Sequence, residues 1–300
     1  MLASAGIADG LIDPPVAGAS IKRTKATSRE GAVGLGFLIV LVLLAVVVPW
    51  VASGSVYSLG IPFQPPSWHH LFGTDDIGRD LFVRTMAGAR IDLGLAAGGV
   101  GLSLLIGTTY GAIAGLVRAR WLESVLMRIV DAFIAFPFIV LVLVLVVIIG
   151  PRTVAPIPAG LPAILVGLVV TDWAWYARLA RAQTLSLRDA DYMVAGRLAG
   201  FSIFRLVRHH VIPSVIRVNI AFAVGDAIQF VITAASLAFL GAGVEPPVAE
   251  WGSIMYEGRA YIQTAWWITI LPGVVLALTG IALSMLADSL LSDRASRSVR

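Results

Sequence analysis

The feature that most constrains this chain is a series of long apolar runs separated by short charged segments. Residues 31–74 contain no Asp, Glu, Lys or Arg, and neither do residues 260–287. A helix needs about 20 apolar residues to cross a bilayer, and lipid offers no water to satisfy an open backbone. Charged residues are 13% of the chain, against about a quarter in soluble domains. We therefore predict an all-α integral membrane protein.

Six transmembrane helices are predicted in a single domain over residues 31–300, after a polar tail at 1–30. The predicted spans are 33–52, 92–118, 129–149, 161–179, 214–240 and 264–287. A loop with Pro151, Pro156 and Pro158 separates the third span from the fourth. Because the first apolar run is long and follows a long polar lead, we expect an uncleaved anchor and not a signal peptide.

The basic residues predict the orientation of these spans. If the N-terminus is cytoplasmic, 17 of the 22 Lys and Arg residues fall on the inner side. The outer five are Arg79, Arg84, Arg90, Arg152 and Arg259. Cytoplasmic loops are enriched in basic residues, so we expect both termini and the loop at 180–213 to be cytoplasmic. The net charge of +4 then reflects topology and contact with lipid headgroups, and not nucleic-acid binding.

The loop at 180–213 is patterned like a folded unit and not like a connector. Asp191 is a candidate N-cap for a short helix, and Gly200 suits the left-handed residue that ends it. Ser202 is a candidate cap for a second helix, and Pro213 fits the first turn of the fifth span. The pattern predicts two short helices at the membrane surface, joined by a glycine elbow.

This loop resembles the EAA loop of ATP-binding-cassette (ABC) importer permeases, and four further blocks resemble the C-type permease of the dipeptide/oligopeptide/nickel importer family. The blocks are residues 70–80 (HLFGTDDIGRD), 131–137 (DAFIAFP), 237–243 (LAFLGAG) and 250–252 (EWG). The resemblance implies that the loop couples the protein to an ATPase, with Ala195 and Gly196 in the ATPase groove. The residues it assigns to this coupling are Asp191, Ala195, Gly196, Arg197, Gly200, Arg205, His210 and Pro213.

The chain departs from the family pattern at two acidic positions. The coupling helix of the family carries a glutamate before its Ala pair, where this chain has Val194. A family glutamate in the fifth span is replaced by Ala234. Any role of those two acids cannot be carried over to this protein.

Asp226 and Gln229 lie near the middle of the fifth predicted span. A charged side chain there costs about 2.5–3.5 kcal/mol on insertion scales, so we expect Asp226 to face water or the bundle interior. The two residues are candidates for the transport pathway, and the alternative is an aspartate hydrogen-bonded to a neighbouring helix. Asp131 and Asp172 are placed near the cytoplasmic ends of their spans, close to Arg128 and Arg178, where we expect local ion pairing or solvation at the membrane interface.

Small residues recur every four positions at Gly107, Gly111 and Gly115 in the second span. This spacing lets a second helix approach closely, so it predicts helix packing, and a wall of the pathway is the alternative.

The sequence offers no catalytic site. It has no Walker A pattern, no His-Glu-x-x-His and no Gly-x-Ser-x-Gly motif. Adjacent histidines at 69–70 and 209–210 cannot both point at one ion from a regular helix, so no metal site is predicted. We expect no cofactor in this chain, since the resemblance places ATP and magnesium on partner subunits.

The resemblance implies an assembly with a second permease as a heterodimer, two cytoplasmic ATPase subunits and an extracytoplasmic solute-binding protein that delivers peptides. Nickel or another solute is the alternative within the family. A secondary transporter is the alternative from another class, but it predicts inverted repeats and broken helices, and no convincing internal repeat is present. A membrane scaffold that transports nothing would not explain Asp226.

Overall fold

The computed structural model describes residues 23–52, 58–150, 157–244 and 247–297, with side chains described between residues 29 and 290. Ten α-helices run through these ranges, and no extended strand occurs in them. The helices are α1 (Arg23–Val51), α2 (Leu81–Leu116), α3 (Arg120–Ala135), α4 (Phe138–Ile149), α5 (Leu161–Leu187), α6 (Asp191–Leu198), α7 (Ile203–Leu206), α8 (Ile212–Phe239), α9 (Trp251–Gly258) and α10 (Trp267–Arg297). Pro151 and Pro156 of the predicted loop, and Arg152 of the predicted outer side, lie outside the described residues.

Five helical stretches in the described chain are long and apolar enough to cross a membrane, and a sixth arises if α3 and α4 count as one span. They are α1 from Arg29, α2, α5, the stretch Ile203–Phe239, and α10 as far as Leu290. The all-α membrane architecture is therefore confirmed, with five or six spans. Residues 23–30 already belong to α1, so the helix begins before the expected end of the tail, and residues 1–22 lie outside the described chain.

The third predicted span, at 129–149, is not one straight helix. α3 and α4 meet at an angle of 89° across a short break. Phe136 lies between them in an extended conformation, with φ −79° and ψ 142°, because the following Pro137 disfavours a helical residue before it. α4 has 12 residues, and at 1.5 Å per residue its length of about 18 Å falls short of the bilayer core.

The fourth predicted span ends too early, because α5 continues to Leu187. The prediction ended this span at its first arginine. In the structure Arg178 pairs with Asp131 at 2.6 Å, and Arg181 pairs with Glu123 at 2.5 Å. The carboxylates of α3 compensate the charges of the two arginines. The helix therefore continues for about two turns beyond the first of them. Asp172 consequently lies near the middle of α5.

The centre of the fold is the contact of α2 with α5 and α8, and α1 packs beside them against α10. Gly107, Gly111 and Gly115 lie on the face of α2 that meets α5. A Cβ atom at Gly107 would lie 2.2 Å from the carbonyl oxygen of Trp173. Only glycine permits this approach, so the two helices are in backbone contact over two turns.

Candidate functional site

The loop between α5 and α8 contains a glycine elbow. Gly200 has φ +77°, which glycine adopts at little cost. Its N–H donates to the carbonyl oxygen of Arg197 at 2.9 Å, and the N–H of Phe201 donates to that of Gly196 at 3.0 Å. These two bonds form a Schellman motif, which satisfies the last carbonyls of α6. The left-handed conformation predicted at Gly200 is confirmed.

The two ends of the loop differ in how far they follow the prediction. The hydroxyl of Ser202 accepts the N–H of Arg205 at 3.3 Å and caps α7 as expected. The N-cap of α6 is Ala190, which makes no side-chain bond, so the expected cap at Asp191 is wrong. Asp191 is the first helical residue, where the helix dipole stabilises its negative charge. Pro213 lies in the first turn of α8, but a π-helical turn at Val207–Val211 makes the helix continuous from α7.

The inner face of the loop packs on the end of α2. Met193, Leu206 and Val211 are buried in one cluster with Ala112 and Leu116 of α2. Gly196 is buried too, and a Cβ atom there would lie 3.0 Å from Cδ2 of Leu206. Gly196 therefore faces this chain's own core, contrary to its expected place in an ATPase groove. Ala195, beside it, is exposed.

The outer face of the loop is apolar and exposed. Leu198 is 85% exposed and Phe204 is 69% exposed, and the two residues lie on either side of the elbow. We call the exposed set the coupling surface: Tyr192, Val194, Ala195, Leu198, Ile203 and Phe204. Large exposed apolar patches mark interaction sites, so this surface is suited to a protein partner.

Three polar residues assigned to coupling make contacts within the loop itself. The guanidinium of Arg197 donates to the carbonyl oxygens of Arg188 and Met193, which ties α6 to the end of α5. The guanidinium of Arg205 lies 5.0 Å from the ring of Phe201. The ring of His210 lies 6.0 Å from that of Tyr192 and stacks on Phe201 at 6.5 Å. These contacts fix the shape of the coupling surface.

The second constellation is an acidic cavity between α4, α5, α8 and α10, with a volume of about 630 Å³. It is open at the surface of the subunit. The described lining residues include three carboxylates and no basic side chain. They are Phe138, Asp172, Trp175, Ala221, Phe222, Gly225, Asp226, Ile228, Gln229, Ser284, Ala287 and Asp288.

Asp226 both lines this cavity and bonds to a neighbouring helix. The hydroxyl of Tyr176 donates to its Oδ2 at 2.8 Å. The carboxyl group of Asp172 interacts directly with that of Asp226, so two carboxyls from α5 and α8 face each other. Asp172 is only 3% exposed, and its Oδ2 has no hydrogen-bond partner among the described residues. Gln229 also lines the cavity, and its amide lies 3.4 Å from the hydroxyl of Thr233.

A third polar cluster lies at the opposite end of α2 from the loop. Arg84 is buried and donates to Asp75 at 2.6 Å and to Glu257 at 2.9 Å. Arg79 donates to the same two carboxylates. Asp75, Asp76 and Glu257 are close enough to hold a metal ion, but each of them already pairs with Arg79 or Arg84. The cluster is an ion-pair network that joins the segment 58–80 to α2 and α9.

The comparisons agree with this architecture. Residues 107–296 match the family described as binding-protein-dependent transport system inner membrane components. A putative peptide transport system permease of Brucella suis is 36% identical over 267 residues, covering 87% of this chain and 86% of that protein. The dipeptide transport system permease DppC of Bacillus subtilis is 34% identical, covering 86% and 78%. The di/tripeptide transport system permease DppC of Pseudomonas aeruginosa is 34% identical, covering 87% and 86%.

The chain belongs to this family of transport-system membrane components. The fold agrees with a solved structure of the MetNI methionine ABC transporter in an inward-facing conformation. The match between the two chains has a TM-score of 0.55 and a sequence identity of 22%, and it covers 71% of this chain and 95% of the MetNI chain. That likeness shows the fold alone. This protein is therefore a multi-pass inner-membrane permease component of an ABC transport system, and its family is described as a transport component.

The blocks that carried the family resemblance have separate structural places in this permease. Residues 70–80 form the turn and N-cap at the start of α2, where Asp80 accepts the N–H of Val83 at 3.1 Å. Residues 131–137 contain the break between α3 and α4. Glu250 caps α9 by accepting the N–H groups of Gly252 and Ser253, each at 2.9 Å. Of the two departures from the family pattern, Val194 lies on the coupling surface and Ala234 is buried in the core.

Sequence reasoning missed Asp172 as a member of the acidic cavity and Tyr176 as the hydrogen-bond donor to Asp226. Asp172 was assigned to an ion pair near the membrane surface, which is wrong because Arg178 pairs with Asp131 instead. One signal was available in the sequence. The segment after Asp172 contains no proline or glycine, and the helix does continue beyond Arg181 to Leu187. Extending α5 would have placed Asp172 at the same depth as Asp226. An ion pair was expected at Asp131, and its partner in the structure is Arg178 of α5.

Proposed function

We propose that this permease is one half of the membrane channel of an ATP-driven importer of short peptides. The three relatives reported above are named as peptide, dipeptide or di/tripeptide transport system permeases. The assembly would contain a second permease, two cytoplasmic ATPase subunits and an extracytoplasmic solute-binding protein. ATP and magnesium would bind to the ATPase subunits, and both termini of this chain would be cytoplasmic.

The coupling surface is the observation that carries this proposal. A loop that only connected α5 to α8 would not need a Schellman elbow, a buried core of its own and an exposed apolar face. The buried contacts of Met193 and Leu206 with α2 make the loop rigid relative to the bundle. A push on the coupling surface would therefore move α2 and α8 together.

In this mechanism ATP binding closes the ATPase pair and draws the two coupling surfaces of the permease pair together. The bundle would then change between inward-facing and outward-facing states. ATP can drive this change only to the extent that it binds the two states with different affinity.

The contact is tested by crosslinking. Single cysteines replace Leu198 or Ala195 on the coupling surface of the complete complex, in a chain that has no native cysteine. Both should crosslink to an ATPase subunit. The matched control is Gly196→Cys, whose side chain would point into the loop core. Crosslinking of the control alone, or of neither surface residue, would reject this docking surface.

The transmission step is tested at the elbow. Gly200→Val should lower transport per ATP hydrolysed, since a β-branched residue is strongly disfavoured at positive φ. Nothing lies within 4 Å of a Cβ atom there, so the effect comes from the backbone alone. Gly200→Asn is the control, because Asn tolerates the left-handed region. If both variants behave like the wild type, the elbow does not transmit the ATPase motion.

Nickel as the cargo, the alternative within the family, is less well supported. Nickel favours imidazole nitrogen among protein ligands, and the described lining of the acidic cavity contains no histidine. Uptake of radiolabelled nickel compared with that of a tripeptide by the same reconstituted complex decides between the two cargoes.

A further inference from the structure

We propose that the paired carboxyls of Asp172 and Asp226 form a subsite for the protonated amino group of the cargo. This inference rests on the proposed function, since it names the part of a peptide that the acidic cavity would hold. Asp172 lies on α5 and Asp226 on α8, and their carboxyls face each other between the two helices.

The first argument is the arrangement of donors and acceptors. Tyr176 donates to one oxygen of Asp226, which fixes the orientation of that carboxyl. Oδ2 of Asp172 is buried and receives no hydrogen bond from the described residues. An ammonium group has three N–H donors and no acceptor. It can therefore bridge the two carboxyls and donate to Oδ2 of Asp172, whose carboxyl also interacts with the hydroxyl of Ser103.

The second argument is electrostatic. Two carboxylates in contact repel each other, and burial strengthens the repulsion because water screens it less. The nearest arginine on α5, Arg178, is bonded to Asp131, and no basic side chain is among the described residues that line the cavity. A cation that enters would be held by both acids, while an anionic group would be repelled by three.

The third argument is the shape and lining of the space. A volume of about 630 Å³ lies in the range of about 300–1,000 Å³ that is usual for small-molecule sites. The rings of Phe138, Trp175 and Phe222 line the same cavity. Aromatic faces attract cations and also accept apolar side chains, so the cavity suits an amine attached to a short apolar peptide.

The test compares uptake of trialanine and of N-acetyl-trialanine, which lacks the amino charge, by the complete complex in liposomes. The occupancy of the solute-binding protein by each peptide is measured separately, and uptake is normalised to it. The wild type should prefer trialanine by about tenfold to about a hundredfold, as expected for hydrogen bonds to charged groups. In the double variant Asp172→Asn, Asp226→Asn the preference should fall to near one. Asp131→Asn, whose carboxylate is exposed and bound to Arg178, should keep the wild-type preference.

Each other outcome has a distinct meaning. If the wild type imports neither peptide, the proposed function fails before the subsite is reached. If the double variant only lowers the yield of assembled complex and keeps the preference, the carboxyl pair merely joins α5 to α8, and the inference is overturned. It is also overturned if uptake requires sodium, tested by replacement with N-methylglucamine, and ignores acetylation, because the pair would then hold an inorganic cation.

A second measurement needs no solute-binding protein. Dicyclohexylcarbodiimide modifies carboxyl groups in apolar surroundings, and mass spectrometry locates the adduct. Trialanine should protect Asp172 and Asp226 from the reagent, while the same concentration of N-acetyl-trialanine should not. Equal protection by the two peptides contradicts an amine subsite.

Discussion

Gly111 of α2 lies directly against the backbone of Ala177 in α5. A Cβ atom on Gly111 would be 2.1 Å from the carbonyl oxygen of Ala177, far inside van der Waals contact. The next residue, Ala112, belongs to the cluster that receives the coupling loop. This close helix contact therefore lies beside the place where the loop is anchored.

This contact predicts the effect of adding one methyl group. Gly111→Ala should lower stability by about 1–3 kcal/mol, as overpacking of a tight core does, because neither backbone can yield freely. Thermal unfolding of the purified permease in detergent measures the change.

The matched control for this change is Gly98→Ala in the same helix, where nothing lies within 4 Å of the added atom. Alanine has the better helix propensity, by up to about 1 kcal/mol, so this variant should be neutral or stabilising. Equal loss of stability in the two variants would show that the α2–α5 contact is looser than described.

The buried ion network predicts a second stability change. Arg84→Met leaves Asp75, which is 1% exposed, with one guanidinium partner fewer. Removing one partner of a buried ion pair costs about 3–5 kcal/mol, so the segment 58–80 should detach from α2 at lower temperature. Limited proteolysis of that segment, measured against temperature, reports the loss.

Arg90→Met is the control for Arg84, since Arg90 is exposed and exposed substitutions change stability by about 0.5 kcal/mol or less. If proteolysis of the segment is the same in both variants, the ion network does not hold the segment.

Glu250 predicts a dependence of stability on pH. Burial raises the pKa of its carboxyl above the ordinary value of 4.5, although hydrogen bonds from Gly252 and Ser253 act in the opposite direction. The folded protein then holds this proton more tightly than the unfolded chain does. The stability that the protonated form contributes is complete below pH 4.5 and is lost as the pH rises through the raised pKa.

Glu250→Gln should remove this part of the pH dependence, because Gln cannot ionise yet keeps an oxygen for the first amides of α9. Apparent melting temperatures measured upward from pH 4.5 should fall less steeply for the variant than for the wild type. Glu30→Gln, at an exposed carboxyl of α1, should follow the wild type. A Glu250→Gln curve parallel to the wild-type curve would exclude this role for Glu250.

The orientation in the membrane is tested with single cysteines. Asp189, whose side chain is 70% exposed beside the coupling loop, and Gln263, exposed between α9 and α10, should be labelled from opposite sides. The distribution of basic residues predicts that Asp189→Cys reacts with an impermeant reagent only from the cytoplasm. Labelling of both positions from one side would contradict the predicted topology.

The sequence by itself determined the class of fold, because apolar runs of membrane length admit only helices in lipid. It also determined the glycine elbow, since a left-handed helix end at Gly200 and a serine cap at Ser202 are set by neighbouring residues. The spacing of Gly107, Gly111 and Gly115 predicted a close helix contact for the same local reason.

The tertiary structure alone decided which side chains meet. As isolated charges Arg178 and Arg181 would end a span, but their pairing with Asp131 and Glu123 of α3 allows α5 to continue to Leu187. That extension places Asp172 opposite Asp226, 54 positions later in the chain. Gly196 faces Leu206 because the turn at Gly200 folds α6 back onto α7, so its burial follows from the packing of these two helices. Charge compensation likewise depends on side chains of another helix, so the local pattern of α5 does not determine the pairing of Asp172 with Asp226.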